Sequence, residues 1–131
     1  EAGEDFVVVE NPLGPTGLAT CYDWRFPEHF RALTDAGAES VVIPSGWPLA
    51  RIRHWDVLTR ARAIENQVWL LGANAAGYSG TVKLGGRSTV IDPWGDAVVA
   101  EVGTPRLTAT LDPHAVAVTR ADFPVLADRR T

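Results

Sequence analysis

Two near-continuous apolar runs, Glu39–Pro44 (ESVVIP) and Val68–Ala73 (VWLLGA), flank a helical stretch from Arg51 to Gln67. Runs this short and this apolar read as strands buried on both faces. Between them, Ile52, Trp55, Leu58, Ala61, Ile64 and Val68 recur at steps of three and four, which predicts a helix with one apolar stripe. Upstream, Phe6–Val9 and Thr16–Cys21 read as two strands joined by Leu13-Gly14-Pro15 turn chemistry, a predicted hairpin. Pro27 suits the first turn of a helix running to Ala36, with Phe30 and Leu33 on its buried face and Gly37 as C-cap. The alternation of strands and helices favours an α/β layered sheet.

The later part of the chain modifies that picture. Ala75–Gly86 is rich in glycine and reads as a loop of a dozen residues. Ser88–Ile91 and Ala97–Val102 flank Asp92-Pro93-Trp94-Gly95-Asp96, which predicts a second hairpin and hence a mixed sheet. Leu107–Leu111 reads as a last strand and Pro113–Ala121 as a short helix. Phe123–Thr131 reads as an extended tail with no core partner in this chain. No repeat or linker divides the chain, so residues 1–131 read as one domain.

Composition narrows the function. The 131 residues are 46% apolar and 21% charged, in the globular range. No apolar run is long enough to span a bilayer and no secretory leader opens the chain, so no membrane partner is expected. The net charge of −4, with no basic cluster beyond Arg129-Arg130, gives no footprint for nucleic acid. One cysteine excludes an intramolecular disulfide and a multi-cysteine metal site, and fits a reducing, cytoplasmic compartment. Three scattered histidines without HExxH predict no metal, and the absence of GxxxxGK[ST] and GxGxxG predicts no phosphate or dinucleotide cofactor. The chain has no methionine, so Glu1 reads as a processed or truncated end.

Cys21 is the residue able to carry chemistry. It ends a predicted strand and precedes a helix by six residues, the position of a nucleophile exposed at a sheet edge near backbone N–H groups. A thiol is mostly protonated at neutral pH and needs a base to become the nucleophile. His29, His54 and His114 have no spacing that identifies a Cys-His pair; each reads as structural or exposed, with His29 turned outward. Lys83, the only lysine, reads as a solvated loop residue. Read from position alone, Cys21 is more readily a small buried hydrophobe than a nucleophile.

Three blocks change that balance. CYDWRFPE from Cys21 to Glu28 resembles the nucleophile motif of the nitrilase superfamily, the carbon–nitrogen hydrolases. His54-Trp55 followed by ARAIENQ (Ala61–Gln67), and GRSTVIDPWG (Gly86–Gly95), resemble two further blocks of that family in the same order. With Ser45-Gly46-Trp47-Pro48 ahead of the second block, the pattern most resembles the branch of omega-amidases and related small-acid amidases.

The resemblance implies a mixed-sheet αββα sandwich normally about twice this length, of which the chain would be the C-terminal, Cys-bearing half. It implies a Glu-Lys-Cys triad, with Cys21 as nucleophile. The family's Glu and Lys lie further upstream of the cysteine than this chain reaches; Glu1, Glu4 and Glu10 lack the matching context and Lys83 lies on the wrong side of Cys21. Glu65 matches a structural residue of the family, and Asp23 and Glu28 are expected to brace the turn. The backbone N–H of Tyr22 is expected to hold an oxyanion, Arg25 to grip a substrate carboxylate, and Trp47 to wall the pocket. For Arg25 a salt bridge to Asp23 or Glu28 is the competing expectation, and for Trp47 plain core packing. The expected substrate is a small-molecule amide. The competing expectations are an N-carbamoyl compound, a nitrile, or a non-catalytic binding or regulatory domain that keeps the fold. The resemblance also implies a homodimer or higher homo-oligomer paired through the helix after Cys21 and the Arg51–Gln67 helix. The tail from Phe123 would cross to the partner, leaving an apolar patch on these helices in a single chain.

Overall fold

A computed structural model describes residues 3, 5–100, 104 and 106–130. Its main sheet has six strands in the order β1-β2-β3-β4-β7-β8: β1 (Val8–Asn11), β2 (Gly14–Leu18), β3 (Ser40–Ser45), β4 (Trp69–Asn74), β7 (Thr89–Ile91) and β8 (Ala97–Val99). β2, β3 and β4 are parallel, and β1, β7 and β8 join antiparallel, so the sheet is mixed. Helix α1 (Pro27–Asp35) connects β2 to β3, and α2 (Ile52–Asn66) connects β3 to β4. Both helices pack on the same face. Leu33 of α1 lies against Gly17, and the indole of Trp55 in α2 lies against Gly72.

Between helices and sheet lies the core: Phe30, Leu33, Val41, Ile43, Trp55, Leu70 and Ile91, with Trp24 from the connection before α1. The opposite face carries a continuous apolar row across five strands. Leu18 pairs in register with Val42, Val42 with Leu71, Leu71 with Val90, and Val90 with Val98. Leu18 and Val98 are exposed and the three between them half-buried.

The helix α2 departs from its predicted stripe. It buries Trp55, Thr59, Arg62, Ala63 and Asn66 and leaves Ile64 and Val57 exposed. Two of these buried polar side chains bond back to their own helix: Thr59 Oγ1 donates to the Trp55 carbonyl at 2.8 Å and Asn66 Nδ2 to the Arg62 carbonyl at 2.9 Å. Polar side chains that return to their own helix backbone can occupy a buried face that hydrophobic counting assigns to others.

Four further expectations need correction. The first hairpin turns at Pro12-Leu13, because Gly14 and Pro15 already pair with Asn11 and Glu10 in the sheet. The Ala75–Gly86 stretch is a hairpin of β5 (Ala76–Ser79) and β6 (Val82–Gly85), held to the strand-to-helix loop by the Gly85 N–H on the Trp47 carbonyl at 2.8 Å. Leu107–Leu111 forms no strand. The predicted tail does have partners in this chain. Gln67 Nε2 donates to the Phe123 carbonyl at 2.7 Å, Phe123 meets Trp94 edge to face, and Arg129 pairs with Asp35 at 2.7 Å. The described part of the second hairpin matches the expectation; Val102 lies outside the described residues, as do Glu1, Glu4 and Thr131.

Helix α3 (Ala115–Asp122) is tied to the rest of the fold by Arg120. Arg120 reaches the carbonyls of Ala38 and Asn66 at 3.3 and 3.4 Å. Burial lowers its pKa from the ordinary arginine value, and the neighbouring carboxylate of Glu39 opposes that shift. Among the described residues no helix is long and apolar enough to cross a membrane.

The contact between Gly72 and Trp55 is a sharp test of this packing. A Cβ at position 72 would sit 2.9 Å from Trp55 Cζ2 and 3.0 Å from Cη2, atoms of a rigid buried ring. Gly72→Ala should therefore cost about 1–3 kcal/mol in urea unfolding. Gly46→Ala, where a Cβ meets nothing within 4 Å, should change stability by no more than about 0.5 kcal/mol.

Candidate active site

The strand β2 stops at Leu18, three residues before the cysteine, so Cys21 does not end a strand as its sequence context suggests. It opens a turn of 3-10 helix, Cys21–Arg25, that leads into α1. The turn is set by Asp23, whose carboxylate accepts the Thr20 N–H at 2.7 Å while its own N–H donates to the Thr20 carbonyl at 2.9 Å. Asp23 thus braces the turn as expected; Glu28 is exposed and makes no such bond among the described residues. Cys21 has φ +38°, in the left-handed region that a non-glycine residue enters at a cost of about 1–3 kcal/mol. A strained residue of this kind persists only where its surroundings hold it.

Those surroundings come from α2. The Arg62 guanidinium donates through Nε and Nη2 to the Trp24 carbonyl at 3.2 and 2.8 Å. Its remaining arm pairs with Glu65 at 2.9 Å. Glu65 is engaged in this ion pair and does not line the cysteine cleft. Beneath the turn, Trp24 stacks on Phe30 with ring centroids 5.5 Å apart and meets Trp55 edge to face at 5.3 Å. The turn carrying Cys21 is fixed by a hydrogen-bonded carbonyl above an aromatic base.

The second wall is the loop after β3. Trp47 donates its N–H to Asn74 Oδ1 at 2.6 Å and its indole N–H to the Arg51 carbonyl at 2.8 Å. Asn74, buried at the end of β4, also donates to the Gly86 carbonyl at 2.7 Å. Asn74 ties the Trp47 loop to the β5–β6 hairpin and has no counterpart in the sequence reading. An asparagine that ends a buried strand beside a glycine-rich stretch was the available signal.

Cys21, Tyr22, Arg25 and Trp47 line one cleft of about 150 Å³ with Gly46, Pro48 and Arg51. Cys21 is half-buried and packs at the margin of the core. The Tyr22 N–H has no acceptor among the described residues. Neither expected salt bridge of Arg25 forms. Its guanidinium lies 4.9 Å over the Trp47 ring and 5.5 Å from the Tyr22 ring. Trp47 is both wall and core, only 2% exposed. His54 stands beside Arg25, with Nδ1 3.4 Å from Nη2. His29 Nε2 is 3.5 Å from the Leu18 carbonyl and His114 precedes α3, so neither lines the cysteine cleft. Lys83 is exposed on β6 and lines a different cleft. Among the described residues no group of three or more His, Cys, Asp or Glu could hold a metal ion.

A larger cleft, about 450 Å³, lies away from Cys21, between Ile64, Trp94, Phe123 and Val125. On α2 itself Val57 and Ile64 are the large exposed hydrophobic residues, and α1 contributes none.

The clamp on the Trp24 carbonyl predicts an unequal pair of variants. Arg62→Ala leaves a buried carbonyl without a donor and should cost about 1–3 kcal/mol of unfolding free energy. Glu65→Gln weakens only a partly solvated ion pair and should cost about 1 kcal/mol or less. Urea unfolding followed by tryptophan fluorescence compares the two.

A family model for carbon-nitrogen hydrolase matches residues 1–121. The chain is 47% identical over 134 residues to a 2-oxoglutaramate amidase of Paenarthrobacter nicotinovorans, covering 98% of this chain and 46% of that protein. It is 41% identical to the deaminated glutathione amidase of Rattus norvegicus, covering 93% of this chain and 38% of that protein. Among solved structures, a CN-hydrolase superfamily protein of Xanthomonas campestris, bearing an arsenic adduct in its active site, superposes with a TM-score of 0.92 at 31% identity, over 100% of this chain and 52% of that one. An amidase from Nesterenkonia sp. AN1, with the acetamide moiety of fluoroacetamide covalently added to its active-site cysteine, superposes with a TM-score of 0.72 at 30% identity, over 77% of this chain and 39% of that one. The chain spans about half the length of the curated relatives it matches. With a match over nearly its whole length and a mixed α/β sheet of nitrilase type, this chain belongs to the carbon-nitrogen hydrolase family.

Proposed function

We propose that the intact protein hydrolyses the amide of a small carboxylic acid, releasing ammonia, through a thioester on Cys21. The observation that carries this reading is the cleft in which the chain's only thiol shares its walls with Arg25, which pairs with no carboxylate among the described residues. Relatives named 2-oxoglutaramate amidase and deaminated glutathione amidase support an acid-amide substrate, and the Nesterenkonia amidase supports a cysteine nucleophile.

In this reading the chain is the C-terminal, Cys-bearing part of an αββα sandwich, and the open apolar row of the sheet faces the second layer. A Glu outside these residues takes the Cys21 proton. The thiolate attacks the amide carbonyl, and the tetrahedral intermediate collapses as the C–N bond breaks and the nitrogen leaves protonated as ammonia. The same Glu then activates a water that cleaves the thioester and returns the acid. The Tyr22 N–H, unengaged and one residue after the nucleophile, holds the oxyanion with a Lys from outside this chain; each such donor is worth about 3–4 kcal/mol. Arg25 grips the substrate carboxylate in the bidentate geometry a guanidinium favours, and Trp47 walls the acyl chain. A lone catalytic thiol suits a reducing, cytoplasmic setting. The patch of Val57, Ile64, Trp94 and Phe123 is the pairing surface of a homodimer.

Ammonia release from glutaramate-like and succinamate-like acids, neutral amides, N-carbamoyl amino acids and nitriles tests the substrate class. Acid amides should be hydrolysed best; a clear preference for carbamoyl compounds or nitriles, or no turnover of any, overturns the reading. Cys21→Ala should reduce turnover to background. Arg25→Ala should raise KM for acid amides about 10–100-fold, the equivalent of a lost charge-assisted contact of about 1.5–3 kcal/mol, with a much smaller change for neutral amides. Residues 1–131 alone should show no turnover.

A further inference from the structure

The histidine of the His54-Trp55 block has no part in the chemistry above, yet among the described residues it is the one side chain hydrogen-bonded to the Arg25 guanidinium. We infer that His54 is a positioning residue, which orients Arg25 so that one edge of its guanidinium is presented to the substrate carboxylate. The inference rests on the carboxylate-gripping role proposed for Arg25.

The backbone of Arg25 cannot move freely, because the preceding carbonyl is held by Arg62. The side chain crosses from the 3-10 turn toward the first turn of α2, and its guanidinium carbon lies 4.9 Å from the centroid of the Trp47 ring. Trp47 is itself fixed at both its N–H groups, so this surface is rigid. Attraction of a cation to a ring face holds the guanidinium near the ring without fixing which N–H groups point where. A hydrogen bond to one of those groups is needed for that, and His54 Nδ1 supplies it at 3.4 Å.

The chemistry of the pair fixes the state of the ring. A guanidinium only donates, so His54 has to accept through Nδ1 and carry its proton on Nε2. An arginine offers five N–H groups in a planar fork. With one edge on His54, the other remains for two parallel hydrogen bonds to a carboxylate, and no ion pair with Arg25 competes among the described residues. The adjoining surface, lined by Arg25, Arg53, His54, Val57 and Leu58, holds no acidic side chain.

The test is a double-mutant cycle in the intact protein, with paired acid and neutral amides as substrates. His54→Phe keeps a flat ring and removes the acceptor; His54→Asn restores a carbonyl oxygen close to the place of Nδ1. The ratio of kcat/KM for acid over neutral amide should fall about tenfold in His54→Phe, through KM for the acid amide, and should recover most of the way in His54→Asn. In an Arg25→Ala background the same substitution should lower the ratio no further, because the two residues act as one unit. An equal loss for acid and neutral amides, no loss, or a loss that persists without Arg25 overturns the inference. If Arg25→Ala itself leaves the ratio unchanged, the carboxylate-gripping reading fails and takes the inference with it. If Arg25→Ala lowers the ratio and His54→Phe does not, only the inference fails.

Discussion

The Trp24 carbonyl accepts two N–H groups from Arg62, and that clamp holds the turn that carries Cys21, Tyr22 and Arg25. Trp24 lies in the middle of the 3-10 turn, between the strained Cys21 and Arg25. Fixing its carbonyl fixes both neighbours: the thiol on one side and the guanidinium on the other. Arg62 can perform this task because it is buried with its charge distributed over a backbone carbonyl and one carboxylate. A lysine could make one of those contacts but not the forked set.

The aromatic side chains extend the same logic outward. Trp24, Phe30, Trp55 and Trp47 form a connected series from the core to the cleft wall, and Arg25 rests on its last member. Trp55 also fills the space that Gly72 leaves on the sheet. The position of a cationic group at the cleft is therefore tied, through rigid rings, to the register of β4. Such a site needs little rearrangement on meeting its ligand, which is how a small cleft can discriminate by charge.

Legibility followed burial. β3 and β4 were visible because both faces of each strand carry apolar side chains, although only the helix-side face is fully buried, and α1 because Phe30 and Leu33 keep helical spacing. The β5–β6 hairpin was hidden because β5 is wholly exposed and carries no alternation. The inward face of α2 was misread because Thr59, Arg62 and Asn66 are buried there through hydrogen bonds that a hydrophobic pattern does not register. At the cleft, Cys21, Tyr22, Arg25 and Trp47 were all identified from motif resemblance and do converge. Asn74 and His54 were missed as contributors. Their importance lies in partners 27 and 29 residues away in sequence, a distance at which no local signal operates.

The order of connections has a consequence for the bare side of the sheet. β2, β3 and β4 are parallel and sequential, so each step moves the chain one place in the same direction. Crossovers between parallel strands are right-handed in nearly all proteins. Two right-handed crossovers taken in one direction put both connecting helices above the same face, where α1 and α2 are found. The row from Leu18 to Val98 is thus uncovered for a topological reason: no lengthening of these connections could shield it without reversing their handedness. Chirality at the level of single residues, carried up through strand twist, keeps these two connections from ever covering that face.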